Sequence, residues 1–223
     1  MRGKLIVIDG VDASGKETQT KGLFEFLRDA GFDITKIEFP NYSDNSSALI
    51  KMYLNGDFGE NPSDVNPYAA SIFYAADRYA SYKNFWGKTL DNGGIILSDR
   101  YVTSNAIHQA VKLEGQERDN YLEWLNDFEY NKLGLPYPDL VIFLDMPPEY
   151  ALELLAARYK GDETKKDIHE KDQEYMKRCY ESAVFACEKF GWHRVRCVKE
   201  GKIRSIEDIG GEVKERVLEV IKS

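Results

Sequence analysis

Only three cysteines occur in the 223 residues, Cys179, Cys187 and Cys197, and none stands in a CxxC pair. That spacing excludes the usual zinc-ribbon and redox-pair arrangements, and it makes reduced thiols in a cytoplasmic chain the expectation. Long apolar runs are missing as well. Between Met1-Arg2-Gly3-Lys4 and Asp9 stand only Leu5-Ile6-Val7-Ile8, too few for a signal-peptide core or a membrane span. A basic excess is also missing. Thirty Lys and Arg against 38 Asp and Glu give a formal net charge of -8, which argues against a protein that wraps nucleic acid through its phosphates. A local basic site for a small anion stays open. No internal repeat or low-complexity linker divides the chain, and 43% hydrophobic residues over this length suit one compact domain spanning residues 1–223.

What is present is an alternation of buried-strand and amphipathic-helix patterns. Leu5 to Ile8, Gly94 to Asp99 and Leu140 to Asp145 are apolar without alternation, as expected of strands buried on both faces of a parallel sheet. Ile34 to Phe39 and Arg194 to Val198 are weaker strands, which makes five. Between them, Leu23, Phe26 and Leu27 fall on one helical face, and Tyr121, Trp124, Leu125 and Phe128 recur at three and four. Ser205 and Asp208 have the spacing of a capping box that opens a last helix through Val213, Val217, Val220 and Ile221. Strands alternating with helices predict a three-layer α/β/α fold around a five-stranded parallel sheet. Ligands bind at the carboxyl ends of such strands, where Asp9, Asp12, Asp99, Arg100 and Asp145 all fall. These residues are expected to share one crevice.

Gly10-Val11-Asp12-Ala13-Ser14-Gly15-Lys16 has the GxxxxGK spacing of a loop whose backbone N–H groups face a phosphate chain. From average glycine usage and a similar lysine frequency, that spacing alone occurs by chance in about one chain in fifteen of this length. The context makes it specific, because the loop follows an apolar strand and opens an amphipathic helix whose positive end adds to the grip. Lys16 would reach the terminal phosphates. The Ser or Thr that usually follows the lysine and binds Mg²⁺ is Glu17 here, with Thr18 one position out of register. A carboxylate against bare phosphate oxygens is repelled by roughly 1 to 4 kcal/mol per charge pair, so Glu17 must face Mg²⁺, through water, or turn away.

With these residues in place the sequence resembles the thymidylate kinases, nucleotide kinases of the P-loop NTPase type. Gly10 to Gln19 is similar to the family's loop with its internal aspartate and trailing Thr-Gln, and Phe39-Pro40 to its Phe-Pro after the second strand. Tyr74-Ala75-Ala76-Asp77-Arg78 resembles its aromatic-x-x-x-Arg helix and Ser98-Asp99-Arg100-Tyr101 its Asp-Arg-Tyr strand end. The resemblance implies that Gly10 to Thr18 hold ATP, that Asp12 meets the deoxyribose 3'-hydroxyl of dTMP, and that Phe39 and Pro40 line the base pocket. It implies that Tyr74 stacks on thymine, that Arg78 bonds a base carbonyl, that Arg100 bridges the two phosphate groups, and that Asp99 helps hold Mg²⁺, with Asp9 and Glu17 as further candidates acting through water. Ser104, Asn105 and Gln109 lie where the family's next helix approaches the acceptor nucleotide, and Tyr42 lies where an Arg or Tyr approaches its phosphate. His108 occupies the position of a tyrosine that in some members crowds the ribose 2' position.

The resemblance also makes Arg158 to Asp167, the one dense basic stretch, part of a lid near residues 158–170. Family members carry a catalytic arginine either in the phosphate loop or in this lid. Ala13 occupies the loop position, so Arg158 is the expected catalytic cation beside Lys16, Asp99 and Arg100, with Lys160, Lys165 and Lys166 as helpers. An apolar stripe of Ala106, Ile107 and Val111 is open to two readings, core packing or the contact of a homodimer. Two alternatives to dTMP phosphorylation remain at this level. His108 leaves room for a kinase of another deoxynucleotide or nucleoside, and Glu17 for a nucleotide sensor without turnover.

Overall fold

Leu5, Ile6, Val7 and Ile8 point alternately to the two faces of the first strand, and in the computed structural model both faces are covered. The structure describes residues 2–159 and 172–222. In chain order the elements are β1 (Lys4–Asp9), α1 (Lys16–Asp29), β2 (Ile34–Glu38), α2 (Ala48–Asn55), α3 (Pro67–Ser81), α4 (Gly87–Asp91), β3 (Ile95–Asp99), α5 (Val102–His108), α6 (Gly115–Asn126) and β4 (Leu140–Asp145). Then come α7 (Pro148–Tyr159), α8 (Gln173–Phe190), β5 (His193–Arg196), a small ribbon of β6 (Val198–Lys199) and β7 (Lys202–Ile203), and α9 (Ile206–Lys222). Two π-helical turns, Tyr82–Trp86 and Asp127–Lys132, continue α3 and α6.

Strands β1 to β5 form one parallel sheet in the order β2-β3-β1-β4-β5, as the alternation predicts. Ile6 and Ile8 pack with Leu23 and Leu27 of α1 and with Val213 and Val217 of α9. Leu5 and Val7 pack on the other side with Trp86, Leu90 and the Tyr121, Leu122 and Leu125 face of α6. Each such aliphatic side chain contributes about 1.5–3 kcal/mol by leaving water, so both helical layers are needed to bury β1. The register sets Ile8 beside Asp99 and Asp9 beside Phe143, which brings the carboxyl ends of β1, β3 and β4 to one edge.

Three sequence expectations shift. Gly94 and Phe39 lie just outside β3 and β2. The fifth strand stops at Arg196: after a last inter-strand bond from the Cys197 N–H to the Asp145 carbonyl the chain turns into the β6–β7 ribbon. The stripe of Ala106 and Ile107 is buried in the protomer's own core, where Ser182 of α8 donates to the Ala106 carbonyl at 3.0 Å, and Val111 packs beside it. Core packing is therefore the reading that holds. The last helix opens with the Asp208 N–H donating to Ser205 Oγ at 3.1 Å, whereas the Asp208 carboxylate accepts from Arg204 Nε at 2.6 Å and so makes half of the expected capping box. Cys179, Cys187 and Cys197 are free thiols in the core. Among the described residues no helix is long and apolar enough to cross a membrane.

Gly3 leads into β1 against the Gly93-Gly94 turn, and a Cβ there would stand 1.8 Å from the Gly94 carbonyl oxygen. Gly3→Ala should therefore cost about 1–3 kcal/mol of stability by forcing the entry of the central strand aside. Urea unfolding checks this, and an unchanged midpoint would show that the entry moves freely.

Candidate active site

The site begins where β1 ends. Asp9 is fully buried and its carboxylate is already engaged, accepting from the Gly10 N–H at 2.8 Å, from Thr103 Oγ1 at 2.5 Å and from Ser104 Oγ at 2.8 Å. It ties the start of α5 to the root of the phosphate loop. Gly10 admits no side chain, since a Cβ would stand 2.7 Å from Ser14 Oγ and 2.9 Å from the Leu144 carbonyl oxygen. Inside the loop, Ser14 Oγ is buried without a partner among the described residues. Lys16 opens α1 and donates from Nζ to the Val11 carbonyl at 2.7 Å. Burial lowers its ammonium from 10.5 to about 8, with Arg100 pushing the same way against the pull of Asp12, Asp99 and Asp9.

Arg100 faces Lys16 from the end of β3. Its backbone has φ of 65°, in the left-handed region that non-glycine residues rarely take. Two bonds hold it there, from the Arg100 N–H to the Ile8 carbonyl at 3.0 Å and from Ser98 Oγ to the Arg100 carbonyl at 2.5 Å. The guanidinium donates from Nη2 to Asp12 Oδ1 at 2.5 Å, and Nη1 lies 3.4 Å from His108 Nε2. Burial alone would raise the Asp12 carboxyl, but Arg100, His108 and Lys16 together hold it well below the ordinary carboxylate range. Burial raises the Asp99 carboxyl, against the nearby charges of Lys16 and Arg100.

These groups line a cavity of about 680 Å³. Asp12, Ala13, Gly15, Lys16, Glu17 and Thr18 form its phosphate-loop wall, and Asp99, Arg100, Ser104 and His108 its middle. Phe39, Pro40, Tyr42, Tyr74, Arg78, Asn105 and Gln109 close the far end. One end thus offers fixed cations and the other a flat apolar wall with a few polar groups. Such a cavity takes a polyanion joined to an aromatic ring. Gln109 is 1% exposed, and both atoms of its amide lack a partner among the described residues. Buried amides are normally satisfied, so this one is poised for a ligand.

Most sequence-predicted residues are therefore brought together, with two corrections, Asp9 and Asp145. Asp9 stands behind the wall with its oxygens engaged, one of its donors being Ser104, which itself lines the cavity as expected. Gly10, Val11 and Ser14 stand in the loop where the motif puts them, buried beneath its cavity face. Asp145 accepts from Tyr180 Oη at 2.8 Å and Arg194 Nε at 2.9 Å, apart from the cavity. The Arg158 side chain, Lys160, Lys165, Lys166 and the rest of the expected lid lie outside the described residues.

Sequence reasoning missed the residues that support the cavity. Asp77 accepts from the Asn41 N–H at 2.8 Å and from Ser46 Oγ at 2.5 Å, fixing the turn after the cis Phe39-Pro40 peptide. Glu129 accepts from Arg78 Nε at 2.6 Å and Nη2 at 2.5 Å, both residues being buried. Its one signal in the sequence is the general need of a buried arginine for a carboxylate. Tyr101, Glu38, Leu54 and Leu154 complete the lining.

Comparison with known proteins bears on this geometry. The family model described as thymidylate kinase matches residues 8–195. Thymidylate kinase of Mycobacterium tuberculosis is 34% identical over 184 residues, covering 82% of this chain and 84% of that one. That of Caldicellulosiruptor saccharolyticus is 25% identical over 222 residues, covering 100% and 99%. Among solved structures, thymidylate kinase from Candida albicans shares the fold with a TM-score of 0.73 at 23% identity, over 98% of this chain and 92% of that one.

A Lys16 ammonium near 8 has a testable linkage. Triphosphate oxygens around Nζ favour its charged form, so binding a non-hydrolysable ATP analogue at about pH 8.5 should take up protons, and affinity should fall as pH rises through that range. At about pH 6.5 the lysine is charged in both states and uptake through it should vanish. Calorimetry in buffers of different ionisation enthalpy checks this. Uptake that persists in Lys16→Met would assign it elsewhere.

Proposed function

The chain belongs to the thymidylate kinase family, and on that premise we propose how its crevice performs the family's reaction. The protein transfers the γ-phosphate of ATP to dTMP, giving ADP and dTDP. One observation carries the residue assignment: the phosphate loop and the aromatic residues Phe39 and Tyr74 line a single cavity together with Arg100, whose guanidinium bonds Asp12 of the loop. The loop backbone from Gly10 to Thr18 and Lys16 hold the triphosphate. Arg100 spans donor and acceptor phosphates, exchanging its bond to Asp12 for phosphate oxygens, so that Asp12 is released toward the deoxyribose 3'-hydroxyl. Tyr74 stacks on the base against Phe39 and Pro40, Arg78, Asn105 and Gln109 meet its polar edge, Tyr42 the acceptor phosphate, and His108 the sugar. Ser104, which lines the cavity and holds Asp9, lies beside the acceptor nucleotide.

The acceptor phosphate is already ionised near neutral pH, so no protein base has to make the nucleophile. Catalysis then rests on alignment and on positive charge around the transferred group. Mg²⁺ fits the donor set, because it binds through one or two carboxylates together with phosphate oxygens and water. Asp99, at the cavity wall, would hold it, with Glu17 in reach of its waters in place of the usual hydroxyl. The described residues hold no cluster of three protein ligands, which suits a metal that arrives with the nucleotide. Bound there, it would neutralise charge on the phosphate oxygens.

Arg158 is the remaining catalytic cation in this reading. Two facts support it: Ala13 supplies no charge at the loop position, and Leu154, four residues earlier on the same face of α7, lines the cavity. We take the 223 residues as one cytoplasmic nucleotide-kinase domain that acts as a homodimer. The burial of Ala106 and Ile107 moves the dimer contact elsewhere, and the exposed α3 stripe of Tyr68, Ile72 and Tyr79 is the better surface.

A coupled assay with ATP, Mg²⁺ and each nucleoside monophosphate tests the assignment. dTMP should be the preferred acceptor, and clear preference for another would overturn it. In the same assay Arg158→Ala should lower kcat by about 100-fold or more while KM for dTMP stays within a few-fold, as expected for charge felt in the transition state. Light scattering should give a dimer that Ile72→Glu converts to monomer. A monomeric parent protein would remove the interface.

A further inference from the structure

Glu129 lies behind the cavity, in the π-helical turn Asp127–Lys132, and has no exposed surface. Besides both bonds from Arg78, it accepts from Asn105 Nδ2 at 3.2 Å. One carboxylate thus holds two side chains that line the base end of the cavity. The bonds leave little freedom. Of the five guanidinium N–H groups, two go to Glu129 and one from Nη1 to the Tyr101 carbonyl at 3.3 Å, so those remaining are one on Nη1 and one on Nη2. Asn105 Nδ2 also donates to the Ser71 carbonyl at 3.5 Å. Both of its partners are acceptors only, so the amide cannot turn over, and Oδ1 is the atom left for a ligand. The site therefore presents a fixed donor, from Arg78, beside a fixed acceptor, from Asn105.

We propose that Glu129 is the positioning residue that sets base specificity, orienting Arg78 and Asn105 so that the cavity selects a pyrimidine with a carbonyl beside an N–H and rejects one with an amino group beside a bare ring nitrogen. Thymine has the first pattern in O4 and N3–H. Cytosine reverses both, with an amino donor at position 4 and an acceptor at N3. A mismatched base leaves two buried polar groups facing their own kind, the situation that discriminates most strongly. Burial raises the Glu129 carboxyl, against Arg78 and Asn105, and the facing carboxylate raises the Arg78 guanidinium, which keeps its proton. The proposal rests on the assignment of dTMP as acceptor.

The test is Glu129→Gln, assayed with ATP and either dTMP or dCMP, with the wild-type protein on dTMP as control. The amide can satisfy Arg78 only in part and can donate to Asn105 Oδ1, freeing that side chain to turn over. KM for dTMP should rise about 10- to 100-fold, the preference for dTMP over dCMP should fall by a similar factor, and kcat at saturation and KM for ATP should change by less than about threefold. Glu129→Asp, which keeps the charge, should recover part of the preference. An equal loss on both acceptors, or a loss of kcat alone, would overturn the proposal. If Glu129→Gln fails to fold by circular dichroism, wild-type protein decides: dTMP methylated at N3 should bind at least about 10-fold more weakly than dTMP, and equal binding overturns the proposal. Absence of dTMP turnover by the wild type would instead defeat the functional assignment, and this inference with it.

Discussion

The ion pair between Arg100 and Asp12 joins the two halves of the site. A parallel sheet ends its strands together, and here that edge gathers Asp9, Asp12, Asp99, Lys16 and Arg100 within one partly buried region. Charges removed from water are costly unless paired, so their arrangement is a network of mutual compensation. Asp9 is satisfied by hydroxyls and a backbone N–H, Asp12 by Arg100, and Lys16, among the described residues, by one carbonyl. Lys16 is consequently the group left most in need of an anion, and its lowered ammonium pKa expresses that need.

The fold was legible because the physics that builds a parallel sheet writes itself locally. Strands buried on both faces read as unbroken apolar runs, and Leu5–Ile8, Ile95–Leu97 and Leu140–Leu144 are of that kind. The edge strands were less legible. β2 is half-buried throughout and β5 is only four residues long, so neither imposes a pattern strong enough to fix its ends. The stripe of Ala106 and Ile107 shows the limit of periodicity, which says that a face is apolar without saying what covers it. In this chain α8 does, from more than seventy residues away.

The cavity's front was legible through the order of its motifs, and its back was not. Residue type and strand position predict which side chains come near a ligand. They do not predict which lone pairs are already occupied, and for that reason Asp9, expected in the crevice, stands behind its wall. Asp145 errs in the same way, since its strand-end position is right and Arg194 and Tyr180 claim its oxygens. Glu129 is a longer-range case. It stands 51 residues from Arg78, inside an apolar helical face, and only the packing of the π-helical turn reveals that it belongs to the site.

The left-handed backbone at Arg100 fits this layered organisation. A non-glycine residue in that region costs on the order of 1 kcal/mol, and such strain persists only where surrounding bonds over-determine it. Two bonds to its backbone do so, from the Arg100 N–H to the Ile8 carbonyl and from Ser98 Oγ to the Arg100 carbonyl, both from residues of the central sheet. The strain turns the chain sharply between β3 and α5, which lets the guanidinium point across the edge toward the phosphate loop while Tyr101, the next residue, is buried in the opposite core and lends its carbonyl to Arg78. One sharp turn thus sets the direction of Arg100 through its own backbone and steadies Arg78 through the Tyr101 carbonyl. The two arginines that line the cavity share a single backbone constraint.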